Sequence, residues 1–90
     1  MYINIDMSEE DIFYALSDST RLKIVKILLK GELCACCLPS RVKRAQPTVS
    51  LQLKKLAELG VVGNRKEGKK SIYFVKNLKI RKLIEDARGI

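Results

Sequence analysis

Every thiol of this chain lies in the stretch ELCACCLPS, residues 32–40: Cys34, Cys36 and Cys37, three cysteines within four positions of a sequence that holds no histidine. Thiolates are soft ligands and select soft or borderline metals and metalloids. Trivalent arsenic or antimony takes three sulfurs in a pyramid with its lone pair at the apex, and the count matches. Cys34 and Cys37 also have C-x-x-C spacing, but a zinc ribbon needs a second pair and a thioredoxin-like centre needs a β-α-β pattern; neither is present. Zinc, nickel or cobalt held by histidine and carboxylate is disfavoured, because Glu85 and Asp86 alone make a poor site. A closed four-thiolate site for cadmium or lead needs one more cysteine than these residues supply. Reversible disulfide or persulfide chemistry stays open, since close thiols of depressed pKa react with oxidants. So does the plain alternative, three small core residues. With no histidine as general base, no glycine-rich phosphate loop and no carboxylate cluster, an enzyme is not expected.

The elements around the thiols follow from periodicity and punctuation. Ser8 caps a first helix, with Asp11 three residues on and Ile12, Phe13 and Leu16 on one side. A break at SDST precedes a second helix whose stripe is Leu22, Val25, Leu28 and Leu29, ended by Gly31. Pro39 suits the first turn of a short third helix, PSRVKR, so the cysteines sit at or just before its N-terminus. There Arg41, Lys43 and Arg44 would favour thiolate. QPTVSLQLKKLAELG is a fourth helix, with Pro47 in its first turn, Gly60 at its end and Val49, Leu53 and Leu56 facing inward. The period then changes to that of strands: Val61 and Val62 open one, Ile72 to Val75 form another, and Glu67-Gly68 lies at the turn. NLKIRKLIEDAR closes with Ile80, Leu83, Ile84 and Ala87 at helical spacing. The order α-α-α-α-β-β-α, mainly helical with one small hairpin, is that of a winged helix-turn-helix, and residues 1–90 read as a single domain.

Charge points to the partner. The formal net charge is +8, which suits a polyanion. If Val49, Leu53 and Leu56 face the core, then Thr48, Leu51, Lys54 and Lys55 face away, with Ser50 and Gln52 on the flanks. A short, polar, basic helical face of this kind suits the major groove of double-stranded DNA. Gln52 has an amide able to pair with adenine, Thr48 and Ser50 can bond base edges or phosphate, and the lysines hold phosphate. NRKEGKK then crowds Arg65, Lys66, Lys69 and Lys70 around one turn, where like charges repel unless a phosphate backbone neutralises them. No helix pairs a basic face with exposed aromatics, so a membrane surface is not the expected partner. The N-terminal MYINIDMSEED has neither the basic region nor the apolar run of a secretory signal, and the apolar runs are too short to span a bilayer; a cytoplasmic, reducing location is expected.

LSDSTRLKIVKILLKGELCACCL, PTVSLQLKKLAELGVV and RKEGKKSIYF together resemble the arsenic-repressor (ArsR/SmtB) family of winged-helix transcription factors, from about Ser8 to Val75. Asp18-Ser19-Thr20-Arg21 matches the family's helix-opening Asp-x-Thr-Arg. Ser50 matches the serine of its recognition helix, and Arg65, Gly68 and Tyr73 match its wing. Glu32-Leu33-Cys34-x-Cys36 matches the Glu-Leu-Cys-x-Cys of its thiol-based metal sensors. The resemblance implies a homodimeric repressor that binds an inverted-repeat operator when free and lets go when a toxic metal or metalloid binds. It implies no obligatory cofactor, with arsenite or antimonite as inducer. The first and last helices would build the dimer interface, Ile12, Phe13 and Leu16 meeting Ile80, Leu83, Ile84 and Ala87. Two departures stand out: Gln52 replaces a histidine common among relatives, and Cys37 replaces an acidic residue. Some arsenic sensors place a third thiol where this chain has Pro39, so Cys37 becomes the candidate third ligand. Gathering three thiols at a helix start is expected to distort that helix and thereby loosen the recognition helix it supports.

Overall fold

Two side-chain caps decide where the chain first becomes helical. In the computed structural model, which describes residues 7–89, Ser8 Oγ accepts from the Asp11 amide at 3.1 Å and opens α1 (Glu9–Ser17). Residues 1–6, part of the stretch read for a secretory signal, lie outside the described residues. Asp18 Oδ2 then accepts from the amides of Thr20 at 2.9 Å and Arg21 at 3.0 Å, so α2 (Ser19–Lys30) starts with a single residue between it and α1. The buried line of α2 runs through Arg21, Ile24, Val25 and Leu28; Leu22 and Leu29, expected on the core stripe, are only half-buried. Apolar residues flank that line on both sides, so spacing alone does not single out Ile24.

After Gly31 the chain forms a strand that the sequence does not announce. β1 (Leu33–Cys34) is followed by one 3₁₀ turn (Ala35–Cys37) and by α3 (Leu38–Val42), with Pro39 in its first turn. α4 (Gln46–Glu58) carries Pro47 in its own first turn and buries Val49, Leu53 and Leu56. It stops where Gly60, at φ 81°, takes the left-handed conformation. The Gly60 amide then donates to Ala57 O at 3.1 Å, and Val61 to Leu56 O at 3.0 Å.

β2 (Val62–Glu67) and β3 (Lys70–Val75) pair antiparallel from Val62 opposite Val75 to Glu67 opposite Lys70. The loop between them is Gly68-Lys69, one residue later than expected, and Gly68 supplies the positive φ of 62° that so tight a hairpin requires. β1 adds to the other edge of β3, giving a three-stranded sheet of order β1-β3-β2 in place of a bare hairpin. The expected fold otherwise stands: α3 and α4 form the helix-turn-helix, and β2–β3 is the wing.

α5 (Leu78–Ala87) begins at Asn77, whose Oδ1 accepts from the Ile80 amide at 3.1 Å. Ile80 and Ile84, expected at a subunit interface, are 0% and 4% exposed within the protomer; they belong to its core with Ile24, Leu38 and Leu56. One apolar stripe on a ten-residue helix serves one partner first, and here that partner is the chain itself. What α1 and α5 leave outside is Phe13 at 66% exposed, Leu83 at 40%, the exposed Tyr14 and Ala87, and the half-buried Ile12 and Leu16. No described helix is long and apolar enough to cross a membrane.

Candidate metal centre and nucleic-acid interface

β1 is short, but it places Cys34. Leu33 pairs with Tyr73 and Cys34 with Ile72, so the first thiol is anchored to the wing strand rather than to a helix. The 3₁₀ turn that follows swings Cys36 and Cys37 back toward it, and the three Sγ atoms lie within 4.8 Å of one another. The distortion expected for three-way capture is therefore largely built in. A thiophilic ion with metal–sulfur bonds of about 2.3 Å in tetrahedral directions needs sulfurs about 3.8 Å apart, so closing the site takes on the order of 1 Å of contraction.

The thiols are electrostatically unequal. The Cys36 amide approaches Cys34 Sγ at 3.4 Å. Hydrogen bonds from the side chain and then the backbone of Cys36 hold the Cys34 thiol below its ordinary pKa, with Lys70 adding a favourable charge. Cys36, which supplies the proton to Cys34 and stands beside two other sulfurs, is pushed up to about 11. Cys34 is thus the more acidic of the pair and Cys36 its hydrogen-bond donor. The sequence points to Arg41, Lys43 and Arg44 as the cations that activate the cluster; the cation acting on Cys34 is Lys70, because β1–β3 pairing sets Cys34 opposite Ile72, two residues from Lys70.

The cluster does not stand apart from the surface read as nucleic-acid binding. A cleft of about 290 Å³ runs between them, with Cys34, Ala35, Cys36 and Pro39 on one wall, Gln46, Val49, Ser50 and Leu53 of α4 on another, and Lys69, Lys70 and Ser71 of the wing across its mouth. Cys37 does not line it and is exposed. Cys34 and Cys36 therefore border a space walled by both elements that the sequence reading assigns to DNA.

On α4, Thr48, Ser50, Leu51 and Lys54 are exposed and Lys55 is half-buried. Leu51, 51% exposed, is the apolar member of that face. Gln52 differs from its neighbours: its Oε1 accepts from Arg21 Nη1 at 2.7 Å, so the two-point pairing with adenine expected from the sequence would first have to break that bond. On the wing, Arg65 is held by Glu32 at 2.7 Å and Glu67 at 2.9 Å, and Lys66 donates to Ser71 Oγ at 2.6 Å. Those carboxylates, Glu32 first, raise the Arg65 pKa. Lys69 and Lys70 form no ion pair with a carboxylate among the described residues, and Lys70 stands near Cys34. The Arg65–Glu32 bridge also ties β2 to the segment just ahead of the thiols.

Sequence reasoning missed Arg21 as a site residue, though a signal existed. Arg21, Ile24, Val25 and Leu28 share helical core spacing, and a guanidinium on such a line must have acceptors waiting. Arg21 is 5% exposed; it donates through Nη2 to Tyr14 O at 2.7 Å and through Nε to Ala15 O at 3.3 Å, and its guanidinium carbon lies 4.2 Å from the centroid of the Tyr14 ring.

Comparison with known proteins fits this arrangement. The family described as "Bacterial regulatory protein, arsR family" matches residues 18–63, from the α2 cap to the first residues of the wing. The chain is 43% identical over 79 residues to the cadmium resistance transcriptional regulatory protein CadC of Listeria innocua serovar 6a, covering 87% of this chain and 66% of that protein. It is 39% identical over 75 residues to an arsenical resistance operon repressor of Staphylococcus aureus, covering 83% of this chain and 72% of that one. Among solved structures, the transcriptional repressor BigR of Xylella fastidiosa superposes with a TM-score of 0.83 at 30% identity, covering 89% of this chain and 82% of that one. The chain thus spans about two thirds of the length of the cadmium regulators it matches, 66% of those of Listeria innocua and Lactococcus lactis.

Proposed function

Because the chain belongs to the ArsR family of bacterial regulatory proteins, which are DNA-binding winged-helix regulators, we propose that it is a homodimeric repressor whose operator is released when a thiophilic metalloid binds Cys34, Cys36 and Cys37. The observation that carries this reading is the convergence of the three sulfurs within 4.8 Å of one another, two of them, Cys34 and Cys36, lining a cleft walled by α4 and the wing. Residues 1–90 act as one domain in a reducing, cytoplasmic setting. Thr48, Ser50, Leu51 and Gln52 face the bases of double-stranded DNA, and Lys54, Lys55, Lys66, Lys69 and Lys70 its phosphates. Arg65 braces the wing. Phe13, Leu83 and Ala87, flanked by Ile12 and Leu16, form the dimer contact. Two identical half-sites follow from that symmetry, so the operator is an inverted repeat.

Arsenite or antimonite is the inducer that the sulfur count favours. Arsenous acid reacts with three thiols to form three arsenic–sulfur bonds, and its three hydroxyls leave as water with the three thiol protons. Cys34, the more acidic of the hydrogen-bonded Cys34–Cys36 pair, attacks, and Cys36 brings its own proton for the departing oxygen. Contraction of the cluster draws on β1 and, through the shared cleft, on Ser50 and Lys70, so the bound and DNA-competent shapes compete. Cadmium is the competing inducer, since relatives 43% identical are named for cadmium resistance. A four-sulfur cadmium site would need a ligand from a second protomer. Titration of the reduced protein under near-ultraviolet light, with X-ray absorption at saturation, separates the two. Three sulfurs and one arsenic per chain is the expected result, whereas equal binding by a variant lacking all three cysteines removes the cluster from the account.

A further inference from the structure

We infer that Gln52 reads DNA as a hydrogen-bond donor only, selecting guanine over adenine, and that Arg21 sets this polarity from inside the protein. The inference rests on the proposed DNA-binding role of α4. A glutamine amide offers one acceptor and two donors, and reading adenine on two points uses one of each: the oxygen for N6–H and the nitrogen for N7. Here the oxygen is committed. Arg21 has donors and no acceptor, so the atom facing its Nη1 at 2.7 Å must be Oε1, and Nε2 with its two hydrogens is turned away from it. No protein group among the described residues accepts a hydrogen bond from Nε2.

The commitment is hard to undo. Arg21 is 5% exposed and balances its charge on the Tyr14 and Ala15 carbonyls, the Tyr14 ring and Gln52 Oε1, with no carboxylate among these partners. Turning the Gln52 amide to suit adenine would set Nε2 against Nη1, donor against donor, beside a buried cation. A neutral bond to adenine N6 does not repay a lost bond to a guanidinium. In the major groove guanine presents two acceptors, N7 and O6, whereas adenine sets its N6 amino group against the Gln52 amide. Guanine is therefore the base that the locked amide accepts, and Arg21, which touches no DNA, acts as a positioning residue for specificity.

Selection of bound sequences from randomised duplexes by the full chain tests this, with Gln52→Glu as the second arm. Glutamate keeps an oxygen for Arg21 and pairs with it more tightly, so the fold is retained, but it presents only acceptors outward. Wild type is expected to enrich guanine over adenine at one position of each half-site by roughly tenfold, and Gln52→Glu is expected to move that position toward cytosine, whose N4 amino group donates. Arg21→Met frees Oε1 and should readmit adenine there; if that variant does not fold, the glutamate arm decides alone. Enrichment of adenine by wild type, or identical selected sequences for wild type and Gln52→Glu, overturns the inference while leaving the repressor reading intact. Failure to bind any duplex at low salt overturns both.

Discussion

Removing either end of the Arg21–Gln52 bond tests how the inner face of α4 is held. Gln52→Met keeps side-chain length but leaves Arg21 Nη1 without its 2.7 Å acceptor. A hydrogen bond to a charged group contributes about 1.5–3 kcal/mol, and the half-exposed position of Gln52 places the expected destabilisation near the lower limit, about 1.5 kcal/mol. Arg21→Met removes more, since it orphans the Tyr14 and Ala15 carbonyls as well. Relief of a buried charge offsets part of that cost, and a net destabilisation of about 2–4 kcal/mol is expected. In the Arg21→Met background the Gln52 substitution should cost almost nothing, because its partner is gone. The double-mutant cycle should therefore return a coupling of about 1.5 kcal/mol. Urea unfolding followed by circular dichroism, at one fixed protein concentration so that dimerisation does not enter, gives all four stabilities. If the two changes add within about 0.5 kcal/mol, Arg21 does not hold Gln52, and the amide is free to turn toward either base.

Proton bookkeeping at the thiols distinguishes inducers. Cys36, held at about 11 by its bond to Cys34, stays protonated at roughly pH 6–8, so a divalent cation must expel that proton to bind it. Cadmium affinity should then rise at least about tenfold per pH unit and weaken as pH falls, while arsenite, whose oxygens leave as water with no net proton released, should show a nearly flat profile. A flat cadmium profile by competition titration would contradict the Cys34–Cys36 pairing. Lys69→Ala with Lys70→Ala should lower the salt slope of DNA binding by about 0.9 for each phosphate no longer neutralised. Arg65→Ala, whose charge is already met by Glu32 and Glu67, should change that slope less; equal effects would refute the division. Phe13→Glu with Leu83→Glu should yield folded monomers in sedimentation, whereas Ile80→Ala should cost about 2–5 kcal/mol of stability instead. A folded dimer of the double glutamate variant would remove that interface.

Local signals carried much of the architecture. Ser8, Pro39, Pro47 and Gly60 mark helix ends because each acts within a turn or so of where it stands, Ser8 through its hydroxyl and the others through their backbones. The wing was legible because strand alternation and a glycine turn are also local. β1 was not, since two residues are too few for any periodicity and its strand character comes only from β3 beside it. The apolar stripe of α5 was legible, but its partner was not: Ile80 and Ile84 look alike whether they meet a core or a subunit. Arg65 showed the same limit, being one of four clustered cations until the fold brought Glu32 beside it. Cys34, Cys36 and Cys37 were legible as a set. Their closeness to Ser50 and Lys70 required the strand that sequence alone concealed.

The measurement that bears most directly on the central claim is release of DNA. Reduced protein bound to a fluorescent operator, selected from random sequence, is titrated with arsenite while anisotropy is followed. Alongside it run Cys34→Ser, Cys36→Ser and Cys37→Ser. The account predicts release of wild type at one arsenite per chain. It predicts no release from the Cys34 and Cys36 variants at nearly unchanged operator affinity, and impaired release from Cys37→Ser. Wild type that stays on DNA with its thiols saturated, or single variants that all let go like wild type, would contradict it.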